Sequence, residues 1–340
     1  MKLLVNIFAV IAIVAAVTFT PGARAQQDRA RRGPPSPQQT PTPSETPQEV
    51  AEGDVVRVDT ELVTLTATVT DSRGRFIAHL KQGDFTVYED GAKQELAYFN
   101  TGDRVPVSLG ILFDTSGSMI DKIEGVSDAV EHFVKSVAPG DEIFLVRFSD
   151  GAEIVQDFTD DRRRILRTVE DLEPRGSTAL YDAILLGLQR VVEGRHRKRA
   201  LLLVTDGNDT SSGVTFEDVL NLARKAEVVI YALGIGHGEK GSIDHDASGG
   251  QFKDTVDMRV LNSFADATGG RGFFLENAHA GGRDLVDEAA EEVAAELKQQ
   301  YTLGYRPTNR RKDGAFRQIK VELSDKSLRV RTKRGYFAAP

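Results

Sequence analysis

The chain has 340 residues and not one cysteine. That absence excludes a disulfide framework, a thiolate zinc site and a lipoprotein anchor, which needs a cysteine at its cleavage point. It leaves export open. The 6 histidines are scattered, and His132, His196 and His279 have no second ligand at metal-binding spacing, so no imidazole zinc site is expected. Aromatic residues make up only 7% and the formal net charge is −8. An acidic, aromatic-poor chain is a poor candidate for nucleic-acid binding. No Gly-x-Ser-x-Gly elbow occurs, and no Ser-His-Asp set can be assigned. Past Phe19 no apolar run approaches transmembrane length.

What is present starts with a leader. Lys2 precedes an apolar stretch, Leu3 to Phe19, followed by Pro21-Gly22-Ala23-Arg24-Ala25. Ala23-x-Ala25 is a small-x-small cleavage signature, so residues 1–25 read as a signal peptide with Gln26 as the first mature residue. The protein is then secreted or periplasmic, with no stable membrane insertion once the leader is cleaved. An uncleaved anchor is the rival reading. Losing Lys2 and Arg24 moves the net charge from −8 to −10. Residues 26–53, rich in Pro, Gln, Ser and Thr, cannot bury enough apolar surface to fold and read as a disordered linker.

Over 54–103 the apolar period is two. A β-branched run through Leu62, Thr64, Thr66 and Val69 ends at the turn Asp71-Ser72-Arg73-Gly74. Phe85, Val87 and Tyr88 lead into Glu89-Asp90-Gly91, and Leu96, Tyr98 and Phe99 are expected to form the return strand of a hairpin. Tyr301 to Tyr305, Phe316 to Leu323 and Leu328 to Phe337 alternate in the same manner within 301–340. The two regions are expected to pair into one β-sandwich with residues 104–300 inserted between them. A hairpin packed on the inserted domain is the alternative.

The inserted stretch alternates strands and helices, which predicts an α/β fold with a doubly wound, mainly parallel sheet covered on both faces. Apolar runs at Val107–Phe113, Ile143–Phe148, Ala200–Val204, Val228–Leu233 and Gly272–Leu275 are the strands. Ala152–Phe158 is expected to return antiparallel through Ser149-Asp150-Gly151. Helical spacing marks Ile123 to Val137, Ile165 to Val169, Leu180 to Val191, Phe216 to Ala226 and Leu285 to Leu297.

Two of those strands end in carboxylates. Val107–Phe113 runs into Asp114-Thr115-Ser116-Gly117-Ser118, and Ala200–Val204 runs into Thr205-Asp206-Gly207. Between them Gly176-Ser177-Thr178 opens a helix, where the Thr178 hydroxyl could cap backbone N–H groups or meet a cation. Open α/β sheets bind ligands at the carboxyl ends of their strands. Hydroxyls with few carboxylates suit Mg²⁺ or a similar hard cation rather than zinc.

Asp-x-Ser-x-Ser at Asp114, Ser116 and Ser118, then Thr178, then Asp206, resembles the metal-ion-dependent adhesion site of the von Willebrand factor type A domain. The resemblance covers roughly Arg104 to Gln300, and the whole chain also resembles secreted bacterial proteins carrying a divergent form of that domain. It implies Mg²⁺ (or Mn²⁺ or Ca²⁺) held by Asp114, Ser116, Ser118, Thr178 and Asp206. It further implies an open coordination position that accepts an Asp or Glu carboxylate from a protein partner, and no enzyme activity. A purely architectural envelope-assembly role uses the same five residues. So does a Mg²⁺-assisted hydrolase, although the second acid such an enzyme places two residues on is Ser116 here.

Three weaker signals remain. Gly234-Ile235-Gly236-His237-Gly238 lacks the third glycine and the acidic ribose partner of a dinucleotide loop, so no such cofactor is expected. Glu239 to Asp257 reads as a surface loop. The basic runs Arg162–Arg164, Arg195–Arg199 and Arg310–Lys312 read as solvated helix ends and turns.

Overall fold

The computed structural model describes residues 62–101, 105–236, 238–239, 255–276 and 283–339. The expected leader and linker, and most of the loop expected over 239–257, lie outside them. In chain order the first four strands are β1 (Val63–Thr70), β2 (Phe85–Glu89), β3 (Ala92–Gln94) and β4 (Leu96–Asn100). The α/β part follows with β5 (Val107–Asp114), α1 (Ile123–Ser136), β6 (Glu142–Phe148), β7 (Ala152–Thr159), α2 (Arg162–Glu170), α3 (Leu180–Val191) and β8 (Lys198–Thr205). It continues with α4 (Phe216–Lys225), β9 (Val229–Gly236), β10 (Gly238–Glu239), β11 (Thr255–Val256), α5 (Met258–Thr268), β12 (Gly272–Glu276) and α6 (Arg283–Gln299). Last come β13 (Tyr301–Tyr305), β14 (Phe316–Leu323), β15 (Arg329–Arg331) and β16 (Gly335–Phe337).

The central sheet runs β12-β9-β8-β5-β6-β7 and is parallel except for β7 at its edge. Its inner strands, β5, β6, β8 and β9, are buried on both faces because helices cover both. Leu109, Ile111 and Phe113 of β5 join the layer containing α1 and α6, while Leu112 joins the layer containing α3, α4 and α5. β8 splits the same way, Leu202 and Val204 to one side and Leu201 and Leu203 to the other. Alternation of side chains along a strand produces two cores from one continuous apolar run. The chain moves outward from β5 to β6 on one side and returns to β8 on the other. The strand order therefore reverses at β5, and the crevice beyond the carboxyl ends of β5 and β8 is the switch point.

The flanking strands form two four-stranded sheets, β15-β1-β13-β4 and β16-β14-β2-β3. Val63, Leu65, Tyr301 and Leu303 from the first sheet and Phe85, Val87, Ile319 and Val321 from the second share one apolar cluster. The expected sandwich is present, with three local corrections. Asp90-Gly91 does turn a hairpin, but β2 returns on β3, through Glu89↔Ala92. Leu96–Asn100 instead crosses to the other sheet and pairs with β13. The stretch read as one strand from Leu328 to Phe337 is two strands in different sheets. A further helix, α5, was not expected at all.

Candidate metal centre

The loops after β5, before α3 and after β8 meet at the switch point, and each is bonded to the other two. Gly117 N–H donates to Gly176 O at 2.9 Å and Arg175 N–H to Thr115 O at 2.7 Å, joining the first loop to the second. Thr210 N–H donates to Thr178 O at 2.8 Å, and Thr178 N–H donates to Thr210 Oγ1 at 2.9 Å, joining the second to the third. The Thr205 hydroxyl donates to Asp114 Oδ2 at 2.6 Å and closes the triangle. Gly176 sits at φ 79°, and a Cβ there would lie 2.6 Å from the Asp150 carboxylate, so only glycine fits this approach.

This closure brings Asp114, Ser116 and Ser118 together, sets Asp206 close enough for its charge to act on Asp114, and holds Thr178 through its backbone. Ser116 and Ser118 hydroxyls lie 3.0 Å apart. Asp114 accepts Ser116 N–H at 2.8 Å on its other oxygen. Asp114, Ser116, Thr178 and Asp206 are buried, whereas Ser118 is exposed at the rim. Burial, then the charge of Asp206, raises the Asp114 carboxyl to about 6, against the lowering effect of its bonds from Ser116 and Thr205. Among the described residues no lysine, arginine or histidine forms an ion pair with either carboxylate.

Several positioning residues were not anticipated. Thr205 was read only as part of the strand end, yet its hydroxyl accepts Gly207 N–H at 3.0 Å while bonding Asp114. Of the two roles open to the Thr178 hydroxyl, a cap or a cation contact, the cap is not formed. The first turn of α3 is capped instead by Ser212, whose hydroxyl accepts Tyr181 N–H at 3.0 Å and Asp182 N–H at 3.1 Å. Asp209 supports it, accepting Ser212 O–H at 2.5 Å. The signal was legible as a run of turn formers, Asn208 to Gly213. The side chains expected to act as donors offer hydroxyl and carboxylate oxygens only, a set that suits a hard cation. Among the described residues no group of three or more His, Cys, Asp or Glu side chains is placed to hold a metal ion.

The sequence profile of the von Willebrand factor type A domain matches residues 109–281, just over half of the chain. The chain belongs to the von Willebrand factor type A family. An uncharacterized protein of Borreliella burgdorferi is 26% identical over 190 residues, covering 53% of this chain and 55% of that protein. An uncharacterized protein of Synechocystis is 27% identical over 138 residues, 39% of this chain and 33% of its own length. The chain thus spans about half or less of these curated relatives. Among solved structures, the von Willebrand factor type A protein of Catenulispora acidiphila is 13% identical, with TM-score 0.48 over 75% of this chain and 73% of that one. Proximal thread matrix protein 1 of the mussel byssus, described with a zinc-occupied MIDAS motif, is 18% identical with TM-score 0.47 over 62% of this chain and 49% of that one. No helix among the described residues is long and apolar enough to cross a membrane.

Proposed function

We propose that this protein is a secreted, metal-dependent protein-binding module acting through the edge of β5 and β8. Asp114, Ser116, Ser118, Thr178 and Asp206 would hold Mg²⁺, or Mn²⁺ or Ca²⁺ in its place. The carrying observation is the pair Asp114 and Asp206: two buried carboxylates that repel one another, neither in an ion pair with a cationic side chain among the described residues. Such an arrangement is unfavourable unless a cation joins it. Neutral hydroxyls complete the set, so a bound cation would keep residual positive charge and accept an Asp or Glu carboxylate from a partner protein. Exposed Ser118 and Ile120, the latter 58% exposed, give that partner an approach. Export through the leader at residues 1–25 is part of this proposal, as is a role in binding rather than catalysis.

Calorimetric titration of Mg²⁺, Mn²⁺ and Ca²⁺ into chelator-stripped protein tests it. One-site binding is expected, reduced at least about tenfold in the Ser116→Ala, Ser118→Ala double variant because two direct oxygen ligands are lost. Equal affinity in the variant, with circular dichroism unchanged, would remove the metal from this edge.

A further inference from the structure

The metal edge makes no use of the basic run Arg195–Arg199. Its first two residues are tied down: Arg195 pairs with Glu142 and Asp160, and His196 Nε2 lies 3.0 Å from Gly140 O. The next three, Arg197, Lys198 and Arg199, line a cavity of about 430 Å³. It lies where β8 and β9 begin, at the opposite end of the central sheet from Asp114, against the sandwich. A volume of several hundred Å³ is that of a small-molecule site.

The sandwich wall is polar by construction. Alternation along β1 turns Val63, Leu65 and Ala67 inward and Thr64 and Thr66 outward. Thr302 of β13 stands directly opposite Thr66 in the register. All three threonines line the cavity, beside the half-exposed ring of Tyr98. None of the three hydroxyls has a hydrogen-bond partner among the described residues.

Lys333 lines the cavity as well. Only 9% of it is exposed. It forms no hydrogen bond or ion pair with any described residue, and its Nζ keeps contact with solvent. Its partners are weak: the Tyr336 ring at 6.0 Å and the field of exposed Glu227. Burial lowers the Lys333 ammonium, and Lys198, which donates to Leu297 O, is lowered to about 8 by the same cause. A buried ammonium without an anion is unfavourable. Lys198 and Arg199 are held by Leu297 O and Val192 O, which leaves Arg197 and Lys333 as the cations of this lining without a hydrogen bond or ion pair among the described residues, beside its single carboxylate, Glu227.

We propose that this cavity is a second binding site, for a sugar-sized organic anion. Lys333 and Arg197 receive its carboxylate or phosphate, and Thr64, Thr66 and Thr302 receive its hydroxyls.

The test is calorimetric titration of the full chain in chelator with glucuronate, glucose 6-phosphate, glucose and inorganic phosphate. One of the acidic sugars is expected to bind one-to-one while glucose gives no saturable heat, and the carboxylate and phosphate arms tell the two anions apart. Affinity is expected to fall about tenfold or more in Lys333→Gln and in Arg197→Gln, each losing a charge-assisted bond. It stays unchanged in the Ser116→Ala, Ser118→Ala protein, so this result is independent of the metal site. Arg197 is exposed, so its variant keeps the test valid should Lys333→Gln fail to fold. No saturable binding of either acidic sugar, or equal affinity in the Arg197 variant, overturns the site. Inorganic phosphate binding as tightly as glucose 6-phosphate overturns the role given to the threonines.

Discussion

Asp114 is where burial, charge and ligand chemistry bear on one side chain. Its carboxyl is raised from 3.8 to about 6 in the fold. The folded chain therefore retains a proton that the unfolded chain releases between pH 3.8 and about 6. Stability falls with rising pH wherever the native state binds more protons, so this residue makes the metal-free fold less stable on passing upward through that window. A shift of this size corresponds to roughly 3 kcal/mol. In chelator, wild-type protein is expected to lose melting temperature from about pH 4 to 6, and Asp114→Asn to lose less, because its amide does not ionise. Identical pH profiles would remove the argument. Metal binding carries the opposite sign: a cation must displace the proton, so its affinity falls below about pH 6. Titration of Mg²⁺ at two pH values on either side of that point checks it.

At the scale of elements, close packing of β5 depends on Gly110. A Cβ there would lie 2.3 Å from Phe144 Cζ and 2.6 Å from Leu201 Cδ2. The Phe144 ring is itself fixed edge-on to Phe158 at 4.9 Å. Gly110→Val is expected to destabilise the fold by about 1–3 kcal/mol through overpacking, seen as a lower urea midpoint. An unchanged midpoint would show that the ring can move aside.

Gly110 also illustrates what the sequence could and could not show. Strand placement was legible because a strand buried on both faces reads as an unbroken apolar run, and Leu109 to Phe113 is one. The order of the proposed ligands was legible because Asp114, Thr178 and Asp206 each sit at a strand end or a helix start. Helix α5 was missed because Asp257 alone announces it, accepting Val260 N–H as its cap, while the preceding stretch is rich in glycine and charge. Leu96–Asn100 was given the wrong partner because Asp90-Gly91 specifies a turn but not the length of the returning strand. Glu95 alone separates β3 from β4, and no local signal marks that change of sheet. Thr205 was overlooked as an organiser because a threonine at the end of a strand is ordinary β composition. Only its hydrogen bond across 91 residues reveals the role.

At the scale of the molecule, the sandwich exists only when both flanking regions contribute. β1 lies between β13 and β15, and β2 lies between β14 and β3. Removing residues 301–340 would strip β1 of both neighbours and uncover Leu65, Val69, Phe85 and Val87. It would also remove Arg331 from the buried carboxylate Glu296, which accepts from Thr68 Oγ1 at 2.8 Å and Tyr231 O–H at 2.7 Å. Glu296 thereby joins α6, the central sheet and the sandwich, and losing one partner of a buried charge is strongly destabilising. The truncated chain is expected to bind a hydrophobic dye and to be cleaved by protease before Asn100. Dye binding and cleavage equal to the full chain would mean that β1–β4 fold unaided.

The chain enters the α/β domain from β4 and leaves it into β13, and Asn100 and Thr302 are cross-strand neighbours at that doorway. A pull on a partner held at the proposed metal edge would therefore reach the sandwich through two adjacent strands at once, both drawn in the same direction. Tension cannot unzip β4 from β13. Where the chain is held through the segment before Val63, the pull at Tyr301 and the restraint at Val63 act on opposite ends of an antiparallel pair, Tyr301 facing Ala67 and Tyr305 facing Val63. Their hydrogen bonds are then loaded in shear, all together rather than one after another. This arrangement suits a protein that must keep hold while being tugged.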